Sequence, residues 1–325
     1  MIPAFAIAVD GNDITKAVEA GLVSITTTDE AGFKSDSVSI EIVDPLKTIA
    51  LPRKGARIEV YLGWKHTGTT HVGAYTVDKA GRGGRPSVLK ISGNGADLGA
   101  TSTLKAHKTR SFDNITIGTL VGGIAKEHDL KAAVGQDFAN LSIAHLDQVD
   151  ESDMNLLSRV AKDHGAIFKP ADGHLVFTKQ GEGKTVTGKA LAEVAITEDM
   201  CSEWNVELSD RASYQSVIAY WQDTDGATRR EVKEGDGDPC FTIRKPFPNE
   251  AAARAGAKAK KEALDRGTGA ATLTVSIGNP GIFAETPLSL SGFDPQLDGK
   301  WMATKVTQSL SGSGYTTAIE AEPPA

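Results

Sequence analysis

The side chains of this sequence that are able to do chemistry include seven histidines, two cysteines and many carboxylates, and their spacing builds no recognisable centre. A zinc site needs clustered His and Cys ligands, but there is no His-Glu-x-x-His pair and no His/Cys cluster. Cys201 and Cys240 stand far apart, in no metal spacing; they read as two buried free thiols, with a disulfide between them left open. Gly93-Asn-Gly95-Ala-Asp-Leu-Gly99 follows a strand as a dinucleotide loop does. Its third glycine comes one residue late and no βαβ unit follows, so it reads as a strand-end turn. Gly181-Glu-Gly-Lys-Thr185 ends like a phosphate loop without the leading glycine and reads as a linker. Asp223-Thr-Asp-Gly226 and Asp236-Gly-Asp238 lack the ligand spacing and terminal Glu of a calcium loop, and Asp-Gly is ordinary turn chemistry. His128 and His164 fall at the ends of predicted helices, where a partly charged imidazole complements the helix dipole. No Gly-x-Ser-x-Gly elbow is present. No catalytic, cofactor-binding or metal residue is therefore assigned. A carboxylate pair for glycan hydrolysis leaves no local signature, so a lysozyme-like activity stands as the alternative.

Composition narrows the class. The chain has 325 residues, 40% apolar and 24% charged, enough for two or three domains with cores of their own. No apolar run approaches the ~20 residues of a membrane span. The start, Met1-Ile-Pro-Ala-Phe5, lacks the pattern of a signal peptide, so folding in a cytoplasm is expected. A net charge of −7 argues against nucleic acid as a bound partner, which would need clustered Lys and Arg. Aromatic content of 6% argues against a glycan- or receptor-binding module, a further alternative. Trp204, Tyr220 and Trp221 lie in strand patterns and are expected in core packing.

The elements between these residues are mostly strands. Alternating apolar and polar residues mark strands at 5–9, 22–28, 37–43, 57–64, 71–79 and 87–92, separated by Gly, Asp and Pro turns. A one-sided sheet of short strands like these tends to curl into a small barrel. From Asn114 the period becomes helical. Thr116 suits the N-cap of a helix burying Ile117, Leu120, Val121, Ile124 and Ala125. A second helix starts at Ser152 or Asp150, buries Met154, Leu157, Val160 and Ala161, and ends at His164-Gly165. A hairpin turning at 170–173 completes an α+β insert. Alternation resumes at 203–209 and 216–223. An Ala-rich helix opens at Pro248-Asn249, with few large apolar residues, and is expected to pack lightly outside the second β region. Strands at 271–277, 287–290 and 300–310 follow, with 315–320 as the final edge. The order is β domain, α+β insert, second β domain.

A string of short motifs then carries a resemblance. Asp10-Gly-Asn-Asp-Ile-Thr15, Ser24-Ile-Thr-Thr-Thr-Asp29, Pro52-Arg-Lys-Gly-Ala-Arg-Ile-Glu-Val-Tyr-Leu-Gly63 and Gly73-Ala-Tyr-Thr-Val-Asp78 resemble the N-terminal part of the phage late control D family, the tail (baseplate) hub proteins of contractile-tailed phages. Lys105-Ala-His-Lys-Thr-Arg-Ser111, Ile117-Gly-Thr-Leu-Val121 and the segment from Asp150 to Gly165 resemble its middle; Trp301, Val306 and Gly314-Tyr-Thr-Thr317 resemble its closing strands. Gln308 stands where that family leads one to expect a His, and residues 223–248 match least. The resemblance implies a mainly β chain with an α+β insert: two related small β-barrel-like domains flanking a helix-containing domain. Their expected bounds are 1–105, 106–180 and 181–325, with an external helix near 249–266. It further implies a non-enzymatic homotrimer, a pseudo-sixfold ring whose faces match a hexameric tail tube protein and a trimeric tail spike protein. Such hubs are similar to the N-terminal part of type VI secretion spike proteins. Tape-measure and other baseplate proteins are further implied partners, and the implied location is the virion tail tip, assembled in the bacterial host cytoplasm. An acidic hub also suits a channel that DNA crosses without adhering.

Overall fold

The computed structural model describes residues 1–32, 35–95, 103–171, 173–183, 189–209, 214–223 and 226–324. The first third supplies β1 (Pro3–Val9), β2 (Asn12–Asp13), β3 (Leu22–Glu30), β4 (Ser37–Val43), β5 (Arg57–Trp64), β6 (Gly68–Gly83) and β7 (Val88–Asn94). The middle supplies β8 (His107–Thr116), β9 (Lys131–Val134), β10 (Ser142–Ser152), β11 (Ala166–Ala171) and β12 (His174–Lys179). The last part supplies β13 (Val194–Thr197), β14 (Cys201–Leu208), β15 (Ser216–Asp223), β16 (Thr228–Gly235), β17 (Cys240–Thr242), β18 (Gly269–Val275), β19 (Pro287–Ser291), β20 (Gly299–Ser311) and β21 (Gly314–Glu322). The protein is mainly β, with several sheets, as the alternation of its sequence requires.

One hydrogen-bonded ladder runs through both ends of the chain, in the order β14-β18-β21-β20-β3-β4-β7-β6-β5-β1-β2, with β19 branching from β20 and β13 from β19. The two terminal regions are therefore one continuous sheet, joined where Lys305–Ser311 of β20 lie antiparallel to Ser24–Glu30 of β3. The inward residues are those the period of two selects: Val38, Ile40 and Ile42 of β4 are buried, while Ser39 between them is exposed. Each such side chain taken fully out of water is worth about 1.5–3 kcal/mol. The β1–β2 turn uses Asp10 and Gly11, both at positive φ, which matches the twist of a two-residue hairpin. The strand expected as the final edge, β21, is interior: β18 pairs it on one side and β20 on the other. Its alternation, with Tyr315, Thr317 and Ile319 buried, marks a face and carries no information about how many neighbours its backbone has.

The same path recurs at each end. In chain order the strands β1, β3, β4, β5, β6 and β7 lie in the sheet as β3-β4-β7-β6-β5-β1; their counterparts β13, β14, β18, β19, β20 and β21 lie as β14-β18-β21-β20-β19-β13. A short 3₁₀ turn precedes both β3 (Glu19–Gly21) and β14 (Glu198–Met200). Both strands then slip register at once, between Leu22 and Ser24 and between Cys201 and Glu203. β6 and β20 slip against their following strands between Val77 and Lys79 and between Ala303 and Lys305. Aligned on these bulges, Tyr75 falls on Trp301, Val77 on Ala303, Ile58 on Leu288, Val60 on Leu290 and Ile40 on Leu273, and all are buried. One difference remains: β1 runs antiparallel to β5, whereas β13 runs parallel to β19.

The middle region has its own core of Leu120, Val121, Ile124, Leu156, Leu157, Val160, Phe168 and Phe177. Thr116 caps the helix Ile117–Glu127 by accepting from the Thr119 N–H, and Ser152 caps Asp153–Asp163 by accepting from the Asn155 N–H. Both caps follow the sequence expectation. Gly165 ends the second helix at φ +65°. The buried face of that helix differs by one residue, with Leu156 fully buried and Met154 only partly so. The pairing of β8 with β10 was not anticipated, because β8 reads His-Lys-Thr-Arg-Ser-Phe-Asp and lacks an apolar face.

The helix Glu250–Arg266 departs from expectation. It does not lie lightly on the second β region; it packs on a separate sheet, β16-β15-β17, with Val217, Ala219, Val232, Ala253 and Ala257 in a shared core. Its small residues allow that close approach. Gly256 faces the Phe247 ring, where an added Cβ would fall 2.2 Å from the ring. Glycine in a helix ordinarily costs about 0.5–1 kcal/mol relative to Ala. Here overpacking, typically about 1–3 kcal/mol, outweighs that gain. Gly256→Ala is expected to destabilise the protein by roughly 1–2 kcal/mol in urea unfolding; a stabilised variant would show that the ring yields.

Candidate assembly interface

The residues singled out for chemistry do not converge. Residues 96–99 of the first glycine motif, 184 and 185 of the second, and 224 and 225 of the first Asp motif lie outside the described residues. Gly93 lies within β7, and the Gly181 N–H donates to Glu285. Asp223 accepts from the Gly226 N–H and pairs with Arg230, a closed turn. At Asp236-Gly-Asp238 the Gly237 carbonyl accepts from the Ser216 hydroxyl. Cys201 and Cys240 are unpaired thiols, half-buried rather than buried. Tyr220 and Trp221 are half-buried beneath Arg229 and Arg230. Trp204 departs from the expected core position: it is 37% exposed on β14, edge-on to Phe293 at 5.1 Å.

Both helix-terminal histidines sit at C-cap positions, but neither simply complements a dipole in solvent. Burial pushes the His164 imidazole below its ordinary value, which disfavours the charged form a dipole would attract. His128 is buried, with Nδ1 2.7 Å from the Thr103 hydroxyl and Nε2 2.8 Å from Asp153. Glu127, His128 and Asp153 have donor atoms close enough to resemble a metal set. The carboxylates are already engaged by cations: Asp153 pairs with Lys108 at 2.6 Å and Arg110 at 2.8 Å, and Glu127 with the same two. Gln148 donates to Asp153 at 2.8 Å. Burial alone would raise the Asp153 carboxyl, but Lys108, His128 and Gln148 outweigh it and hold it at about 2. This is an ion-pair knot that ties β8, β10 and two helices together.

A second set of polar groups locks the regions to one another. Lys169 of β11 donates to Asp29 at 3.0 Å, to the Glu30 carbonyl at 2.8 Å and to Asp36. Asp29 also accepts from the Ala284 N–H at 2.9 Å, so one carboxylate touches all three parts of the chain. Gln308 is buried with its amide satisfied four times. Its Oε1 accepts from the Tyr315 and Thr317 hydroxyls, and its Nε2 donates to the carbonyls of Asn279 and Ile282. Two acceptor and two donor contacts fit a carboxamide and not an imidazole, which has two ring nitrogens. The loop held this way is met from the other side by Trp64, whose Nε1 donates to the Gly278 carbonyl at 2.9 Å. Beside that loop opens a cleft of about 730 Å³, lined by Trp64, Ile196, Met200 and Ile277 among others.

What the molecule presents outward is strand edge and scattered apolar side chains. Among the described residues β14 ends the ladder with only β18 beside it, and exposes Trp204 and Leu208; Met200 just before β14 and Ile277 just after β18 are exposed too. In the first region Val23, at the start of β3, and Leu46 and Leu51, between β4 and β5, are exposed. Such edges are templates for pairing with another chain. The arrangement is that of an assembly component, with its chemistry spent on internal locks.

Comparison with known proteins agrees. Residues 47–314 match the family model of the phage tail baseplate hub (GPD), and the chain belongs to that family. It is 31% identical to the probable baseplate hub protein of Escherichia phage P2, over 99% of this chain and 93% of that protein. In fold it is similar to the 43 kDa tail protein of the prophage MuSo2 from Shewanella oneidensis, with a TM-score of 0.72 at 18% identity, covering 99% of this chain and 98% of the other. It is also similar to the E. coli c3393 protein, a component of the type VI secretion system, with a TM-score of 0.57 at 13% identity over 94% and 74% of the two chains. The protein is thus a baseplate hub protein of phage tails.

Two predictions follow from the locks. Asp153→Ala, which strands Lys108 and Arg110, should cost roughly 3 kcal/mol in denaturant unfolding, while a chelator should leave the wild-type midpoint unchanged. Sensitivity to the chelator would reassign the knot as a metal site. Burial pushes the Glu285 carboxyl up to about 7, with Glu322 adding to the rise and the Gly181 N–H and Arg266 opposing it. A carboxyl raised on folding contributes stability that is complete below its ordinary value and lost as pH rises through the raised one. Urea midpoints should therefore fall between about pH 5 and about pH 8, and fall less in Glu285→Gln. Some slope should remain from Asp36, which burial and Asp29 also push up to about 7. Equal slopes in both proteins would refute the assignment to Glu285.

Proposed function

We propose that this hub protein is a structural, non-catalytic component that assembles as a homotrimer. The trimer forms a pseudo-sixfold ring joining a hexameric tail tube to a trimeric spike. The observation that carries this reading is the recurrence of one strand path at both ends of the chain, with the two copies set side by side through β20 and β3. A chain holding two like units is the simplest adaptor between threefold and sixfold symmetry, because three chains then present six units. The expected bounds of the three regions, 1–105, 106–180 and 181–325, belong to this reading, with the two like units as its tube-facing parts. Spreading affinity over long edges and scattered apolar residues, with no single pocket, suits permanent assembly. The net charge of −7 suits a lumen that DNA crosses without sticking. Tape-measure and other baseplate proteins are its further partners, and the virion tail tip is its place after assembly in the host cytoplasm.

Light scattering on the purified protein should give a mass three times the 34.2 kDa of one chain, and the trimer should retain both tube and spike proteins in a pull-down. Peptidoglycan zymography should show no clearing. A monomer that engages neither partner, or a cleared zone, would overturn the proposal.

A further inference from the structure

The internal repeat specifies which strands close the ring. Within one chain, the first unit meets the second through β3 and β20, with Ser24–Glu30 paired to Lys305–Ser311. The counterpart of β3 in the second unit is β14, and the counterpart of β20 in the first unit is β6. Neither has the partner its counterpart has. Among the described residues β14 is paired only by β18. β6 is paired by β5 along Gly68–Thr76 and by β7 along Thr76–Gly83, so among the described residues the β5 side of Lys79–Gly83 carries no strand. On β20 that same stretch is where β3 binds.

We propose that β14 of one copy pairs antiparallel with Lys79–Gly83 of β6 in the next copy, repeating between chains the contact that β3 and β20 make within one. This rests on the ring reading and gives it a register. Aligned on the shared bulges, Lys79 corresponds to Lys305 and Glu203 to Ser24, which sets Gly81 opposite Glu207 and Ala80 opposite Leu208. The two strands lie in different units of the ladder, so the occupant of each edge is a second copy of the chain. Burial supports the match. Trp204 corresponds to Ile25, which β20 covers completely, yet Trp204 is 37% exposed and Leu208 54%. A partner on β14 would cover them as β20 covers Ile25. Charge agrees as well: β14 carries Glu203 and Glu207 along the edge, and the receiving segment carries Lys79 with Arg85 just beyond it. The joint is heterologous, and a heterologous joint makes a closed ring when its rotation divides the full turn. Three chains then repeat one kind of step six times.

The test is a register-specific crosslink in a Cys201→Ser/Cys240→Ser background. Gly81→Cys is tolerable, since an added Cβ there meets nothing within 4 Å, and Glu207 is exposed. Mild oxidation of Gly81→Cys/Glu207→Cys should yield covalent dimer and trimer on a non-reducing gel. The shifted pair Gly83→Cys/Glu207→Cys should yield at least about tenfold less, because antiparallel neighbours two residues off register lie beyond disulfide reach. A trimer by light scattering that fails to crosslink, or crosslinks equally in both variants, would overturn the strand pairing and leave the ring standing. A protein that stays monomeric would overturn both.

Discussion

The antiparallel contact between β3 and β20 is the constraint on which the rest of the molecule depends. Without it the terminal regions would be two separate sheets, nearly 280 residues apart in sequence, connected only through the middle of the chain. With it they form one ladder, and other contacts gather at the seam: the Thr28 and Thr307 hydroxyls meet across it at 3.5 Å, and Asp29 at its end holds both Lys169 and the Ala284 N–H. Pairings this distant carry a large loop-closure cost, and the buried polar groups around the seam are what make one register the unique solution. A half-satisfied buried network is costly, so a slip of β3 by two residues would separate the Asp29 carboxylate from the Lys169 ammonium and the Ala284 N–H.

The locks also account for much of the chemistry-bearing material in the chain. Asp153, Lys169, Gln308 and Glu285 are among the buried or strongly shifted groups, and each has partners within the chain. Perturbed carboxyls often mark active sites. Here Lys169 joins β11 to the first region, while Asp153 and Gln308 tie elements together within the middle and last regions, where burial would otherwise be unfavourable. The bulges have a comparable role. Repeated at the same places in both units, they bend β6 and β20 so that one half of each strand pairs to one neighbour and the other half is offered to a different one.

Much of the local structure was legible from the chain. Period-two alternation placed β4 and β5 to the residue, and Thr116, Ser152 and Asn249 marked the three N-caps. The β8–β10 ribbon was not legible, because its few apolar residues, Phe112, Ile115, Ile143 and Leu146, are interspersed with charged ones whose ion pairs form only across the fold. The helix Glu250–Arg266 was visible, but its contacts were misjudged. Alanine and glycine look like weak packers in a sequence, whereas in the structure their smallness is what lets the helix reach its sheet. The exposed position of Trp204 was missed for a related reason: alternation assigns a side chain to a face, and an inward face is buried only if the strand has neighbours.

What the sequence determined by itself is most of the strands and the two capped helices of the insert, which depend on residues within a few positions of one another. Only the tertiary structure decided that the two ends share one sheet, that they repeat one path, and that Asp153 and Gln308 are fully partnered. Those facts depend on which distant strands come together. Backbone hydrogen bonds have the same form whatever the side chains, so no local pattern records them.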